Sequence, residues 1–547
     1  MCGICIVWGP TVNMEEFKRA LAALTPRGPD ITQNELFVHD ATGTEIAVGF
    51  SRLHIQGSAK PEQPFRSGKQ LVLCNGEIFN SDVLIQSLGL QVPTGSSDCA
   101  VVPALLQRMD INAVSRQLDG DFAIAVVDLE HGTITVSRDP YGVRPLFYAI
   151  GVDGDGAPWS AVASELKGLP AGATFVEAIE PGTSRQIFME LDTSQPEPST
   201  WHQPPWLKTP YWRSSLEALT NGGSALRHAL EEAVHKRLAT VRDLGACLSG
   251  GLDSSLVAAI AAKQLARSGK KLHTYSIGME ESPDLKFARL VAAYIGSVHH
   301  ERIVTAEECL DSIPEVVRAI ESFDITTVRA SVGNYLLGRL IVTETPSVKV
   351  VLNGDGADEI LGGYLYMRAA PDDAAFEAET DRLLKEIHHY DVLRSERSMA
   401  AHGLESRSPF LDRQFVSVAR SLPTDALRPT SEMMEKTILR AAFEGLLPEE
   451  VLWRRKEAFS DGISRAERSW FEMAKEEGVA RAGDWKQKAA SYTTNPPPTA
   501  EAYWYRELFH EFYPQVAAAA ATPAMWMPRF VRASDPSART LSMYASE

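Results

Sequence analysis

The chain has 547 residues, 44% of them hydrophobic and 23% charged, which is too long for one ordinary core and too apolar for disorder, so two folded domains are expected. Its 71 acidic residues outnumber 54 Lys and Arg, for a formal charge of −17, and a polyanion needs a basic groove, so no nucleic-acid partner is expected, although local anion sites are compatible with that charge. Six scattered cysteines argue against a disulfide framework or a structural metal, and without a leader pattern or a long apolar run a cytoplasmic chain with no membrane partner is expected.

In chain order, the first 190 residues alternate short β-rich runs with turns: CGICIVWG from Cys2, QLVLCNGEIF from Gln70, DFAIAVVDL from Asp121, GTITVSRD from Gly132 and PLFYAI from Pro145. One helix interrupts them between Asn13 and Leu24, with Asn13 as N-cap and Glu15 and Glu16 in its first turn. Residues 193–210, TSQPEPSTWHQPPWLKTP, are proline-rich and aperiodic and read as a linker between domains at 2–192 and 211–547. Beyond it, helical patterns (SALRHALEEAVHKRL, SSLVAAIAAKQLARSG) alternate with strand patterns (LGACLSGG, LHTYSIGM, VKVVLNGDG). That alternation predicts a doubly wound parallel sheet, which binds ligands at the carboxyl ends of its strands, where both Gly-rich loops lie.

The first loop, Ser249-Gly-Gly-Leu-Asp-Ser-Ser255, follows the apolar run ending at Leu248 and opens a helix, so backbone amides and the helix N-terminus face an anion. Gly250 and Gly251 admit phosphate close to the backbone, and Ser249, Ser254 and Ser255 add hydroxyl donors. Asp253 inside an anion site requires a bridging cation, the usual setting of Mg²⁺. In the second loop, Asn353-Gly-Asp-Gly-Ala-Asp-Glu359, Asn353 and Gly354 are expected beside the nucleotide and Asp358 is the second metal carboxylate. Leu248 and Ile277 can sandwich an adenine. The first loop resembles the pyrophosphate-binding loop of the ATP pyrophosphatase superfamily, which implies attack on an α-phosphate with release of AMP and pyrophosphate.

At the other end of the chain, removal of Met1 joins a thiol and an amine with a reference pKa of about 8 on Cys2, a nucleophile that carries its own base. Asn75 and Gly76 offer oxyanion donors, and Arg52 with Glu77 and Asp98 offers charges for an amino-acid carboxylate and amine. Cys2-Gly-Ile, Arg27-Gly-Pro-Asp30, Arg52-Leu, Asn75-Gly-Glu77, Ser97-Asp98, Leu118-Asp-Gly-Asp-Phe122 and Arg138-Asp-Pro-Tyr-Gly-Val-Arg-Pro-Leu146 together resemble the N-terminal-nucleophile glutamine amidotransferase domain. The resemblance implies an αββα sandwich of two antiparallel sheets and a glutamine site at Arg52, Leu53, His54, Ile55, Gln56, Asn75, Gly76, Glu77 and Asp98. Joined to SGGLDSS, and to FDITTVRAS from Phe323, IGMEESPDL from Ile277, KEAFSDGI from Lys456, MPRF from Met527 and DPSARTL from Asp535, the whole chain resembles the eukaryotic-type, glutamine-hydrolysing asparagine synthetase family.

The resemblance implies amide formation from aspartate and ATP through β-aspartyl-AMP, with Mg²⁺, an internal ammonia passage and a homodimer. Aspartate would lie on Thr326, Thr327 and Arg329, and Lys456 would neutralise phosphate charge. Three places depart from the family pattern: Pro26 stands where histidine is usual, the second loop has Asn353, Asp355 and Ala357 where SGEGSDE is usual, and Ser408 replaces valine. Asp355 is expected to keep a catalytic part in amide formation. Two rivals remain at this stage, an amidotransferase of the same architecture acting on another carboxylic acid and a non-catalytic binder of nucleotide or glutamine.

Overall fold

The computed structural model describes residues 1–190, 197–204, 221–456, 462–464 and 468–541. Much of the expected linker, 193–196 and 205–210, and residues 457–461 of KEAFSDGI lie outside the described residues. The chain divides into two compact units, one of Met1–Gln203, Ala400–Leu404 and Phe509–Thr522, the other of Pro204–Met399, Glu405–Leu508 and Pro523–Glu547.

The first unit is built on two six-stranded antiparallel sheets. One runs Ala173–Ala178, Phe147–Val152, Pro158–Ala163, Gly3–Gly9, Glu45–Arg52, Ile31–Val38; the other runs Ser199–Thr200, Thr183–Phe188, Thr133–Arg138, Gly120–Asp128, Gln70–Ile78, Phe65–Ser67. Successive side chains of Gln70–Ile78 serve two cores. Leu71 and Leu73 join Ile4, Ile6, Trp8 and Val48 between the sheets, while Val72 and Cys74 pack on the outer face with Leu84, Val101, Leu105 and Val114. Burial on both faces explains why these strands read as unbroken apolar runs. The expected sandwich is present.

The helix Met14–Ala23 covers the outside of the first sheet, capped by the Asn13 side chain as expected. Its Leu21 and Phe17 rest on Gly49, where a Cβ would come within 2.8 Å of Leu21. The expectation of a single helix in this half is corrected: Ser81–Leu88, Val101–Leu106 and Ile111–Gln117 are also helical. At six to eight residues each they are too short to display a 3.6-residue period, and they hold their shape by packing on Val72, Ile124 and Val126. The RDPYGVRPL motif proves to be scaffold. Arg138 donates to the carbonyls of Gly142, Arg144 and Ile179, and Asp139 accepts from the amides of Tyr141, Val143 and Arg144.

The second unit carries a five-stranded parallel sheet in the order Val298–Ile303, His273–Gly278, Asp243–Cys247, Val348–Leu352, Glu405–Arg407. The chain starts at Asp243–Cys247 and steps outward through the helices Leu252–Ala266 and Pro283–Ile295. It then returns through Ala306–Ile320 and Ile325–Glu344 to build the other side. The direction reverses between Asp243–Cys247 and Val348–Leu352, and both Gly-rich loops leave from the carboxyl ends of those two strands. Such a switch point opens a crevice because the helices that follow the two strands diverge to opposite faces. Among the described residues no helix is long and apolar enough to cross a membrane.

Candidate active site

In the first unit Cys2 lies at the start of Gly3–Gly9, a strand inside the sheet, and its backbone nitrogen donates to Asn75 Oδ1 at 2.9 Å. Asn75 projects from Gln70–Ile78 on the side of Leu71 and Leu73, toward the other sheet, which is why the two residues meet. The amide nitrogen of Asn75 is buried and makes no hydrogen bond. A fully buried orphan donor beside Cys2 is what an oxyanion would satisfy. Gly76 permits close strand packing, since a Cβ there would stand 2.2 Å from the Asp121 carbonyl. The Cys2-Gly-Ile-Cys5 spacing is no metal motif: residues three apart on a strand face opposite ways, and Cys5 donates to the Gly168 carbonyl while burial pushes its thiol up to about 12.

The expected glutamine residues form a connected group. Arg52 is buried and donates to the carbonyls of Gln56 and Lys60, with Glu62 3.6 Å away. Gln56 Nε2 reaches Glu77, and Asp98 accepts from the Ile78 amide. Leu53 and Ile55 are buried, so their side chains are structural and only their backbone remains for a ligand. His54 is tied to Asp30 through its amide and to Gly57 through its ring.

In the second unit a cavity of about 230 Å³ opens at the switch point and is lined by both Gly-rich loops. Leu248 and Ile277 flank it as expected. Ser254 Oγ binds the Ser249 amide and hydroxyl and folds the first loop back on itself, and the helix N-terminus at Gly251 has no side-chain cap. Ser255 Oγ is buried without a partner. Gly354 brings the second loop against the first: a Cβ there would lie 2.7 Å from the Ser254 nitrogen and 2.9 Å from the Asp253 carbonyl carbon. Gly354→Ala should therefore spread the loops and weaken binding of a phosphate ligand between them roughly tenfold or more, which titration of the chain with inorganic triphosphate checks.

Asp253 and Asp358 do converge, and a residue absent from the sequence reading joins them. Lys436 Nζ lies 2.7 Å from Asp253 and 2.6 Å from Asp358. Lys456 Nζ lies 2.5 Å from Asp358 and 3.8 Å from Asp253. Burial opposes ionisation of Asp358, but the two ammonium groups outweigh it and hold the carboxyl well below the usual range. Burial likewise disfavours the charge of Lys456, and Asp358 followed by Asp253 raises it above the ordinary lysine value. Asp355 is raised by burial, against the pull of Arg394, whose Nη2 sits 2.9 Å away. Asn353 orders this loop by donating to Ser406 and accepting from the Asp355 amide.

Thr326, Thr327 and Arg329 all line the same cavity. Thr326 Oγ1 is buried and unpartnered, whereas Thr327 Oγ1 is bound to Asp324. The Arg329 guanidinium is already engaged within the chain. Four of its five N–H groups go to two protein carboxylates, Nε and Nη2 to Glu501 and Nη1 and Nη2 to Asp535. The segment carrying Trp526 and Asp535 is thus tied to this wall of the cavity, with a second tie from the Trp526 amide to Asp324. Only proximity in the fold assembles Glu501, Asp535, Arg394 and Lys436 here, so spacing alone gave no signal for them.

Comparison with known proteins covers both units. The family model described as Glutamine amidotransferase domain matches residues 1–205, and Asparagine synthase matches 225–383 and 368–533. The asparagine synthetase (glutamine-hydrolyzing) of Gallus gallus is 40% identical over 573 residues, spanning 100% of this chain and 99% of the relative. That of Homo sapiens is 39% identical over 570 residues with the same coverage. Among solved structures, a glutamine phosphoribosylpyrophosphate amidotransferase from B. subtilis is 17% identical with a TM-score of 0.30, covering 55% of this chain and 81% of that one.

Proposed function

The chain belongs to the glutamine-hydrolysing asparagine synthetase family, and from that premise we propose which of its residues carry each step of making asparagine from aspartate, ATP and the amide nitrogen of glutamine. The observation that carries the reading is the pairing of Cys2 with the orphaned Asn75 amide in one unit and of two Gly-rich loops with an acid–lysine cluster in the other.

In the first unit, once Met1 is removed, the Cys2 amine takes the thiol proton and the sulfur attacks the glutamine side-chain carbonyl. Asn75 Nδ2 and the Gly76 amide receive the oxyanion. Arg52 holds the substrate carboxylate, and Glu77 and Asp98 its ammonium. Ammonia leaves, and water frees glutamate from the thioester. Asn75→Ala should lower the rate of glutamine hydrolysis about 10²- to 10³-fold, the usual loss for one oxyanion donor, while synthesis from ammonium persists. Glutamate release and asparagine formation, scored separately, check this.

In the second unit the first loop and its helix N-terminus cradle the triphosphate, Leu248 and Ile277 clasp the base, and Asn353 and Gly354 close over it. Both carboxylates of the acid–lysine cluster touch a single ammonium, Lys436 Nζ, so one cation fits between them, and hard oxygen donors suit Mg²⁺. Asp253 and Asp358 would hold that ion, which supplies charge neutralisation at the phosphates. Lys456 adds a fixed positive charge there. Thr326, Thr327 and Arg329 orient aspartate so that its side-chain carboxylate attacks the α-phosphate, the bond to the β-phosphate breaks and pyrophosphate leaves. The β-aspartyl-AMP formed gives asparagine when ammonia displaces AMP, with Asp355 beside the reacting carbon to take a proton.

A homodimer in the cytoplasm, with magnesium as the metal, completes this reading. Product analysis with aspartate and other carboxylic acids tests it: AMP and pyrophosphate should form in step with asparagine, and equal turnover of another acid would favour the rival amidotransferase.

A further inference from the structure

Lys436 reaches the two metal carboxylates from a distant part of the chain, the turn that opens the helix Thr437–Ala442. Its side chain is 0% exposed, and its Nζ stands 2.8 and 2.7 Å from the two oxygens of Asp253 and 2.6 Å from Asp358 Oδ1. Its backbone is left-handed, with φ +56° and ψ 27°, a conformation that a residue with a Cβ adopts only where its surroundings impose it. Here they do. Arg440 grips the turn through the Glu435 carbonyl and carboxylate at 2.9 and 2.6 Å, and its own amide donates to the Lys436 carbonyl at 2.9 Å. The strain therefore serves to aim one ammonium group at one point between two carboxylates.

Within the cluster itself the acids and the lysines are equal in number. Asp253 and Asp358 carry two negative charges, and Lys436 and Lys456 carry two positive ones. A divalent cation approaching this cluster alone meets two ammonium groups, one of which already occupies the oxygens it would use. Among the described residues no group of three or more His, Cys, Asp or Glu could hold an ion unaided. A nucleoside triphosphate changes the balance, because its phosphates bring several negative charges and further oxygen ligands.

We propose that Lys436 is a built-in counter-cation that keeps divalent metal off Asp253 and Asp358 until a nucleoside triphosphate enters, so that metal and nucleotide bind as one unit. This rests on the reading of those two aspartates as the metal ligands. The lysine is a positioning residue: it keeps the two carboxylates converged before nucleotide enters, then yields them.

Binding of Mn²⁺ to the full chain, followed by the electron paramagnetic resonance of the free ion, tests this without turnover. Wild-type protein should bind Mn²⁺ weakly alone and far more tightly with an ATP analogue bearing a methylene bridge between its α- and β-phosphates. Lys436→Met should bind Mn²⁺ without nucleotide on the order of tenfold more tightly than wild type or better, and adding Asp253→Asn should cancel the gain. Lys436→Arg, which keeps the charge, should behave as wild type.

The proposal is overturned if wild-type protein binds Mn²⁺ equally well with and without the analogue, a comparison that needs no variant. It is also overturned if folded Lys436→Met binds the ion no more tightly. The underlying reading fails separately: Asp253→Asn and Asp358→Asn, each alone, would then leave metal binding with the analogue unchanged.

Discussion

Replacing Cys2 with alanine is expected to end asparagine formation from glutamine, by about 10⁴-fold or more, while formation from ammonium continues near the wild-type rate. The sulfur is the only atom lost. The backbone nitrogen of residue 2, its bond to Asn75 and the strand Gly3–Gly9 do not depend on it, so the sandwich should fold as before. The second unit has its own sheet, core and cavity, and nothing in the proposed adenylation uses the thiol. Parallel assays with glutamine and with ammonium decide the matter. Loss of both activities would mean that the division of labour is wrong, and persistence of glutamine use would remove Cys2 as the nucleophile.

Asp358→Asn is expected to do the reverse. It should lower asparagine and pyrophosphate production about 10²- to 10³-fold with either nitrogen source and leave glutamate release intact. Asparagine keeps the shape of the side chain but withdraws the charge that faces Lys436 and Lys456. The buried ammonium of Lys436 and the partly exposed one of Lys456 would then share Asp253, and leaving a buried charge without its partner costs about 3–5 kcal/mol. A lowered melting temperature of the second unit should therefore accompany the kinetic loss. The sign with pH also follows. Because the Asp358 carboxyl is held well below the usual range in the folded chain, its contribution to stability is present above the unfolded carboxylate value near 4. It is lost only as pH falls toward the depressed folded value. The variant should lack that acid-side loss. Near-normal synthesis by Asp358→Asn would contradict the assignment of the cluster.

Much of this was legible in the sequence where chemistry is local. SGGLDSS, NGDGADE and Cys2 announce themselves because each feature needs contiguous residues, and the strand–helix alternation after Ser224 forecasts a parallel sheet whose switch point holds both loops. What was not legible depends on tertiary contact. Lys436 sits in MMEKTILR, an ordinary amphipathic text, and nothing near it in sequence foretells two aspartates at 253 and 358. Arg329 reads as an available fork only because Glu501 and Asp535 lie 172 and 206 residues away. The short helices after Ser81 escaped for a different reason: a helix of two turns is made by the sheet it covers, not by its own periodicity.

Asp535 also bears on the proposed aspartate subsite. A protein aspartate already lies across the guanidinium at 2.8 and 3.0 Å, so a substrate placed there as proposed would meet an arginine whose charge is already shared. The Trp526 amide on Asp324 ties the same segment to this wall of the cavity.

The most direct measurement follows nitrogen. Protein incubated with aspartate, ATP, magnesium and glutamine labelled with ¹⁵N only in its amide should yield asparagine carrying the label in its side chain, with AMP and pyrophosphate formed mole for mole. Label that appears in free ammonium but never in asparagine, or asparagine formed without AMP, would contradict the account.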